Sequence, residues 1–594
     1  MNRNTELHFG QTPSIDVKRS KFEESFSHKT TFNVGDIIPI YVDSDILPRD
    51  TVQIDMASLI RMATPIYPIM DNLYADTYFF FVPHRLVWDH WAEFWGENDD
   101  PWTQTQEYEI PQITSPTGGW TEGTIADYMG IPTKISNLSV NALPFRAYCK
   151  IWNDWFRSEV VKSNAHIYTD ETTRQGSNGT TGTSAYVTEL ELGAKPAKVA
   201  KLHDYFTSAL VEPQKGEPVQ IPLGTTAPLT GTASVNITKP AATVITSANE
   251  LSGLTNNPLK VKFTGNIIPD YTYQLFLDRN TNAIDAKQGY ITIPPSTNYN
   301  VQGNGASELS DLIPTNLQAI QQNLNGTVSL QNAMVDLSSA TAATVNQLRT
   351  AFAIQKYLEN AGLHGTRYIE YIRGVFGVTS SDARLQRAEY LGGQRFPINI
   401  DQIIQTSSTD ATSPQGNTAG FSCTHNKDSL FTKSFEEHGT LMGLIVIRTE
   451  HTYQQGLNRM WTRKKWTDFY NPFFAHLGEQ GILNKEIYAT GTDKDDEVFG
   501  YQEAWAEYRY KQNHVTGYMR SNATGSLDVW HFADDYESQP FLSSEWLDEP
   551  YTNVDRTIAV TSQLTHQFIG DFFFKAFYTR PMPVYSVPGL IDHV

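Results

Sequence analysis

The sequence predicts an all-β core that carries accessory helices. Residues 78–82 (YFFFV), 441–447 (LMGLIVI) and 568–579 (FIGDFFFKAFYT) are rich in aromatic and aliphatic side chains and are separated by Pro, Gly and Asn turns, the pattern of buried strands. Two longer stretches have helical spacing and lie between the strand segments.

In chain order, the first strand poses a question. Its faces, Tyr78/Phe80/Val82 and Thr77/Phe79/Phe81, are both largely apolar, and Pro83 cannot continue a central ladder. A strand with one solvated face alternates polar and apolar residues. This one needs cover on both sides, from another layer of the chain or from another molecule. Trp88, Trp91, Phe94 and Trp95 follow at once. Residues 144–161 read as a helix, with Pro144 in its first turn and Tyr148, Ile151, Trp152 and Trp155 spaced at three and four. Residues 163–201 are polar and include RQGSNGTTGTSAY, an exposed loop by composition. From 223 to about 324 the chain turns Thr-, Asn- and Gly-rich, with short alternating strands such as 233–238, as an inserted β-rich elaboration would. Residues 344–362 read as a helix apolar on two sides, with Val345, Leu348 and Phe352 on one stripe and Ala351, Ile354, Leu358 and Ala361 on the other. Such a helix is expected to be sandwiched, with Gly362 able to cap its end.

At 594 residues, 40% hydrophobic and 12% aromatic, the chain can build a large core or several smaller ones. Its 45 Lys and Arg against 65 Asp and Glu give a net charge of -20, which argues against condensing nucleic acid by overall charge. Any such contact has to be local. Cys149 and Cys423 stand far apart outside any CxxC or His-rich setting, so neither a disulfide framework nor a zinc site is expected. The start, MNRNTELHFG, has no apolar leader core, and the longest strongly apolar run, 441–447, is too short to cross a bilayer. A soluble protein without a cleaved leader or membrane insertion is expected.

No GxxxxGK[ST], HExxH or GxSxG motif occurs. DKDDE, 493–497, begins like a calcium loop but has Val498 where a turn-forming Gly is required, so a solvated turn is the better reading. Glu503 and Glu507 in YQEAWAEYRY, read as one strand, would stand roughly 13 Å apart. Catalytic carboxylate pairs use about 5–9.5 Å. His84 and His90 lie beside Arg85 and Asp89 without a suitably spaced third partner, and are expected as hydrogen-bonded members of an aromatic cluster. The expectation is no catalytic residue, no metal and no cofactor. One run suggests binding. In GLNRMWTRKKWTDFY, Arg459, Arg463, Lys464 and Lys465 alternate with Trp461, Trp466 and Tyr470, cations and flat rings that can hold single-stranded nucleic acid by phosphate contact and stacking. Ion pairing between subunits is the equal alternative. KRSK, 18–21, is a second, weaker candidate.

Several stretches together resemble the major capsid proteins of the Microviridae, of the gokushovirus type. They are FSHKTTFNVGDIIPIYVD, RMATPIYPIMDNLYADTYFFFVPHRLVWD, NALPFRAY, LHDYFTSALVEPQKG, TRYIEYIRGVFGVTSSDARLQRAEYLGG, TYQQGLNRMW, HLGEQGILNKEIYATG and RPMPVYSVPGLIDHV. The resemblance covers nearly all of the chain outside the two polar segments. It implies an eight-stranded jelly-roll sandwich of the viral capsid type, with long loop insertions and accessory helices. The core would comprise residues 1–222 and 329–594, with 223–328 as an inserted surface protrusion. It further implies a virion protein, not an enzyme, assembled in the bacterial cytoplasm into a small T=1 icosahedral shell around circular single-stranded DNA. The implied partners are further copies of the chain, an internal scaffolding protein, a DNA pilot protein, a small basic DNA-packaging protein and a bacterial surface receptor. Phe79, Phe81, Trp88, Trp91, Phe94 and Trp95 become candidate subunit contacts. A β-rich carbohydrate-active enzyme and a lectin-like binding protein are the alternatives from other classes.

Overall fold

The computed structural model describes residues 18–97, 108–179, 188–217, 345–365, 367–404, 418–421 and 423–585, with residues 219 and 406 and the short strands named below. The chain divides into two compact units, Met1–Glu217 with Tyr357–Val594, and Pro218–Lys356.

Two antiparallel sheets form the centre of the first unit. β1 (Ser20–Glu23) and β2 (Phe26–Phe32) pair with successive parts of β9 (Phe568–Arg580), which pairs with β4 (Thr51–Met62), which pairs with β7 (Thr424–Ser434). The other sheet runs β6 (Glu389–Ile398), β5 (Leu73–Pro83), β8 (Gly439–Thr449), β3 (Ile38–Ile46). Side chains from both sheets fill one core, with Val52, Ile54, Phe572 and Phe574 from the first meeting Ile40, Phe79, Phe81 and Ile445 from the second. The chain is thus strand-rich and antiparallel, consistent with a viral capsid β-sandwich.

The sheets differ on their outer sides. β4 and β9 alternate buried and accessible residues, because only one of their faces meets the core. β8 is buried at all but one of its positions and β5 at all but two. The second cover over β5 comes from the same chain. Phe80, Val82, Met442, Leu444 and Val446 pack into a further core with Trp88, Trp120, Phe145, Tyr148 and Ile151. Gly443 makes the crowding possible, since a Cβ there would stand 2.6 Å from the Phe79 ring of the paired strand.

The helix expected over 144–161 is shorter. α1 (Leu143–Ile151), with Pro in its first turn, widens into a π-helical turn at Trp152–Phe156, and extended backbone begins at Arg157. Phe156 closes on the Tyr78 and Phe80 rings at 5.2 and 6.0 Å. α2 (Val345–His364) runs through Gly362, so that glycine does not end it. Phe352 and Ile354, one from each apolar stripe, are exposed, and the sandwiching expected there is not supplied by the described residues. α3 (Tyr368–Phe376) ends at Gly377, whose φ of 68° is the left-handed cap that glycine accommodates.

In the second unit the described strands are Leu229–Thr230 paired with Met334–Val335, Ala233–Ser234 with Thr264–Gly265, and the three-stranded array Thr272–Phe276, Gln288–Thr292 and Asn300–Gly303. Of the strand expected over 233–238, the part beyond 234 lies outside the described residues, as do residues 180–187 of the polar loop.

Candidate functional site

The basic run lies in the long connection from β8 to β9. Where β8 ends, a buried ionic cluster fixes that connection. His451 reaches Asp534 Oδ2 through Nδ1 at 2.7 Å and Glu549 Oε2 through Nε2 at 3.0 Å, and Lys201 Nζ lies 3.5 Å from Asp534. Burial disfavours the imidazolium, but Asp534 and Glu549 outweigh it and push the His451 pKa up to about 10. Burial acts against the charge of Asp534 too, yet His451 and Lys201 hold its carboxyl far below the usual range.

Seven residues beyond His451, Asn458 caps a short 3-10 turn, Arg459–Trp461, by accepting from the Met460 N–H. The turn points Arg459 inward. Its Nη1 donates to Gly481 O at 2.9 Å and Glu486 Oε1 at 3.2 Å, and its Nε lies 3.9 Å from Glu507. Burial opposes this guanidinium's charge, and Glu486, Tyr205 and Glu507 more than compensate, raising its pKa. Arg463 reaches the same Glu507 oxygen, Oε1, at 3.2 Å, with its guanidinium 4.5 Å from the centre of the Tyr508 ring.

The two arginines anticipated as DNA contacts, or as bridges between subunits, are therefore engaged within their own chain. A buried carboxylate needs partners to offset its desolvation, and Arg459 supplies the cation for Glu486, beside the Tyr205 hydroxyl and the Leu483 N–H. Lys464 and Lys465 remain exposed, and their backbone N–H groups both donate to Asp468 Oδ2 at 2.8 Å. Trp461 and Trp466 stand out from the surface, 70% and 73% exposed, with Phe473 at 93% beyond them. The structure thus separates the run into a tethered half, the two arginines, and a free half, the two lysines with Trp461 and Trp466.

The aromatic stretch after β5 divides similarly. Phe79 and Phe81 lie between the sheets and Trp88 in the covering core, so these three have no surface to offer a neighbour. Their expected role as subunit contacts is corrected by the chain's own packing, the facing sheet burying Phe79 and Phe81 and the covering layer burying Trp88. Trp91 and Phe94 are half-buried, their rings 5.8 Å apart. Trp95 is exposed and stacks on His438 at 4.8 Å.

The other candidates resolve into structural roles. His84 is buried, with Nε2 3.2 Å from the Thr440 hydroxyl, and burial together with His438 lowers its pKa to about 4. His90 pairs with Glu171 and stacks on Tyr108 at 4.5 Å. The strand anticipated across Glu503 and Glu507 ends at Glu503, because Trp505 adopts a positive φ of 67° and a 3-10 turn follows. Glu503 then pairs with Arg509, and Glu507 with the two arginines. In the DKDDE turn, Asp495 accepts from the backbone N–H groups of Thr490 and Gly491 at 2.8 and 2.7 Å. Both cysteines are free thiols, Cys149 buried and Cys423 exposed. Among the described residues, no helix is long and apolar enough to cross a membrane.

Sequence reasoning missed the acids that hold the arginines, and His451 with its partners. Glu486 is 27 residues from Arg459, and Asp534 is 83 from His451. No local spacing carries such a pairing.

Comparison with known proteins bears on the whole chain. The family described as "Capsid protein (F protein)" matches residues 10–590. The chain is similar to the capsid protein VP1 of Spiroplasma virus 4, at 41% identity over 597 residues, covering 99% of this chain and 98% of that one. It is 40% identical to the capsid protein VP1 of Bdellovibrio phage phiMH2K over 594 residues, with 99% and 98% covered. With the capsid protein VP1 of Chlamydia phage 1 the identity is 38% over 599 residues, covering 98% and 97%.

Proposed function

Because the chain belongs to the capsid protein (F protein) family, and is a major capsid protein of the gokushovirus type rather than an enzyme, we propose that it closes into a T=1 icosahedral shell around circular single-stranded DNA. The observation that carries this reading is the number of large apolar side chains left exposed among the described residues. Trp461, Trp466, Phe473, Tyr368, Phe376 and Trp95 are all exposed. Monomeric proteins rarely leave such large apolar groups uncovered over wide areas, whereas obligate assemblies need interfaces that resemble divided cores. Trp91, Phe94 and Trp95 keep their proposed place among the subunit contacts, now joined by Trp461 and Trp466.

The pairing order supports a jelly roll as the subunit's topology. Taking β1 and β2 as one interrupted strand, the chain folds back as four nested pairs: β6 with β5, β7 with β4, β8 with β3, and β9 with β1/β2. Rolling that long hairpin brings β9 beside β4 and β8 beside β5, which are the two remaining ladders. Residues 223–328 are the proposed protrusion toward the host surface. A shell protein of net charge -20 cannot by itself neutralise a packed genome, so a small basic packaging protein is a proposed partner, beside scaffolding and pilot proteins.

Electron microscopy of the purified chain, with nuclease protection of any enclosed DNA, tests the reading. Uniform round particles holding protected single-stranded DNA are expected. A soluble monomer at high concentration, in the presence of its assembly partners, would end it.

A further inference from the structure

The ionic cluster at the end of β8 holds an amine against a carboxyl group in an interior that water hardly reaches. Lys201 Nζ lies 3.5 Å from Asp534 Oδ1, and each side chain is 2% exposed. Among the described residues no other lysine–carboxylate ion pair is buried as deeply; in the next, Lys198 with Asp36, the side chains are 14% and 8% exposed. The backbone pins both partners, since Lys201 N donates to Leu547 O at 2.8 Å and Asp534 N to Thr452 O at 2.9 Å. Aromatic groups wall the amine: the Trp546 ring centre is 4.5 Å from Nζ, and the Tyr536 hydroxyl is 3.4 Å away. Each carboxyl oxygen meets a further donor. Asn553 Nδ2 reaches Oδ1 at 3.1 Å, and His451 Nδ1 reaches Oδ2 at 2.7 Å. Glu549 orients that imidazole from behind, 3.0 Å from Nε2, and is itself held by the Thr449 N–H at 3.2 Å.

We propose that Lys201 and Asp534 condense into an isopeptide bond, an amide between Nζ and Cγ that ties the chain around residue 201 covalently to the long connection from β8 to β9. The ammonium and the carboxylate together hold the atoms of that amide and one water, so no further reactant is needed. One ammonium proton passes to Oδ1, leaving a neutral amine beside a carboxylic acid. The nitrogen then attacks Cγ, and the negative charge that develops on Oδ2 is met by the imidazolium N–H of His451, a preorganised donor in a dry site. A second nitrogen proton passes to Oδ1, the Cγ–Oδ1 bond breaks and water leaves, while the third proton stays on the amide. His451 and Asn553 touch the reacting carboxyl group, and Glu549 is a positioning residue. Two effects favour the product. Holding the groups in contact stands in for a very high concentration of amine, on the order of 10⁵ M or more in well-oriented cases. Condensation also removes two desolvated charges, and the His451 imidazolium keeps Glu549 as its counter-charge.

Mass spectrometry of the folded, full-length chain, denatured only for the measurement, tests this. Trypsin should yield one branched peptide, residues 199–215 joined to residues 521–556, lighter by one water than the two segments together, because cleavage after a condensed Lys201 is blocked. Lys201→Arg keeps the cation but not the reactive amine, since a guanidinium does not give up its proton in a protein. It should release 521–556 as a linear peptide of full mass. His451→Gln keeps a hydrogen-bond donor and loses the positive charge, and should form the branched peptide at least tenfold more slowly in a time course after synthesis. A merely structural role for His451 would leave that rate unchanged. Linear, unmodified peptides from folded wild-type chain would overturn the proposal, and this measurement decides it whichever variants fold. Loss of water at another position would overturn it as well, as would a branched peptide at 521–556 that persists in Lys201→Arg.

Discussion

β5 and β9 have similar compositions and opposite surroundings. Each carries a run of phenylalanines, Phe79–Phe81 in one and Phe572–Phe574 in the other. In β5 all three rings are buried, alternately between the sheets and beneath the layer built by α1 and its π-helical turn. In β9 the middle ring, Phe573, faces outward among lysines. The same residue type thus serves as core in one sheet and as accessible surface in the other. Composition cannot distinguish the two, but the company each strand keeps can: Asp571 and Lys575 alternate with the buried rings in β9, and β5 has no charged residue between Thr77 and Pro83.

The comparison breaks most sharply by truncating one ring from each environment. Phe80→Ala, at 1% exposure against Trp155, Phe156 and Tyr390, should lower stability by about 3–5 kcal/mol in urea unfolding. Phe573→Ala should cost under ~1 kcal/mol, as exposed positions do. Equal losses would mean that the outer face of β9 is covered as well.

Next in size is Arg459→Met, which strands the buried Glu486 carboxylate. Leaving one partner of a buried pair costs about 3 kcal/mol or more. Lys464→Gln with Lys465→Gln, five residues along the same run, should stay within about 0.5 kcal/mol. Matching effects in these variants would contradict the division of the run into a tethered half and a free half.

A third expectation concerns pH. The folded-state pKa of His451 is raised from 6.5 to about 10. The native state therefore holds a proton that the unfolded chain releases, and the corresponding stability is full below about pH 6.5. It declines as pH rises through about 10. His451→Gln should flatten the fall of the urea midpoint across that window, by an amount worth a few kcal/mol. A wild-type midpoint that does not fall between pH 7 and 10 would remove the imidazolium from the account.

How much was legible beforehand follows from the same physics. The strands at 78–82, 441–447 and 568–579 were readable because hydrophobic runs bounded by turn residues are local signals. The double cover of β5 was readable as a need, from its two apolar faces, but its source was not: Phe145, Tyr148 and Trp120 reach Phe80 and Val82 only through the fold. For the same reason Trp88 was anticipated at an interface and lies in a core. The basic run misled because charge runs advertise cations and hide their partners. Glu486 and Glu507 come from separate turns, and only their convergence reveals that Arg459 and Arg463 are taken. The end of α1 was overestimated because its spacing continues to Trp155, while Phe156 turns in to close on Tyr78 and the backbone then extends.

The central claim is that the aromatic strand β5 is covered on both faces by its own chain. A cryo-electron microscopy reconstruction of assembled particles tests it most directly. The account expects Phe80, Val82 and Met442 to lie beneath Trp120, Phe145 and Tyr148 of the same subunit. A reconstruction in which a neighbouring subunit supplies that layer would contradict it.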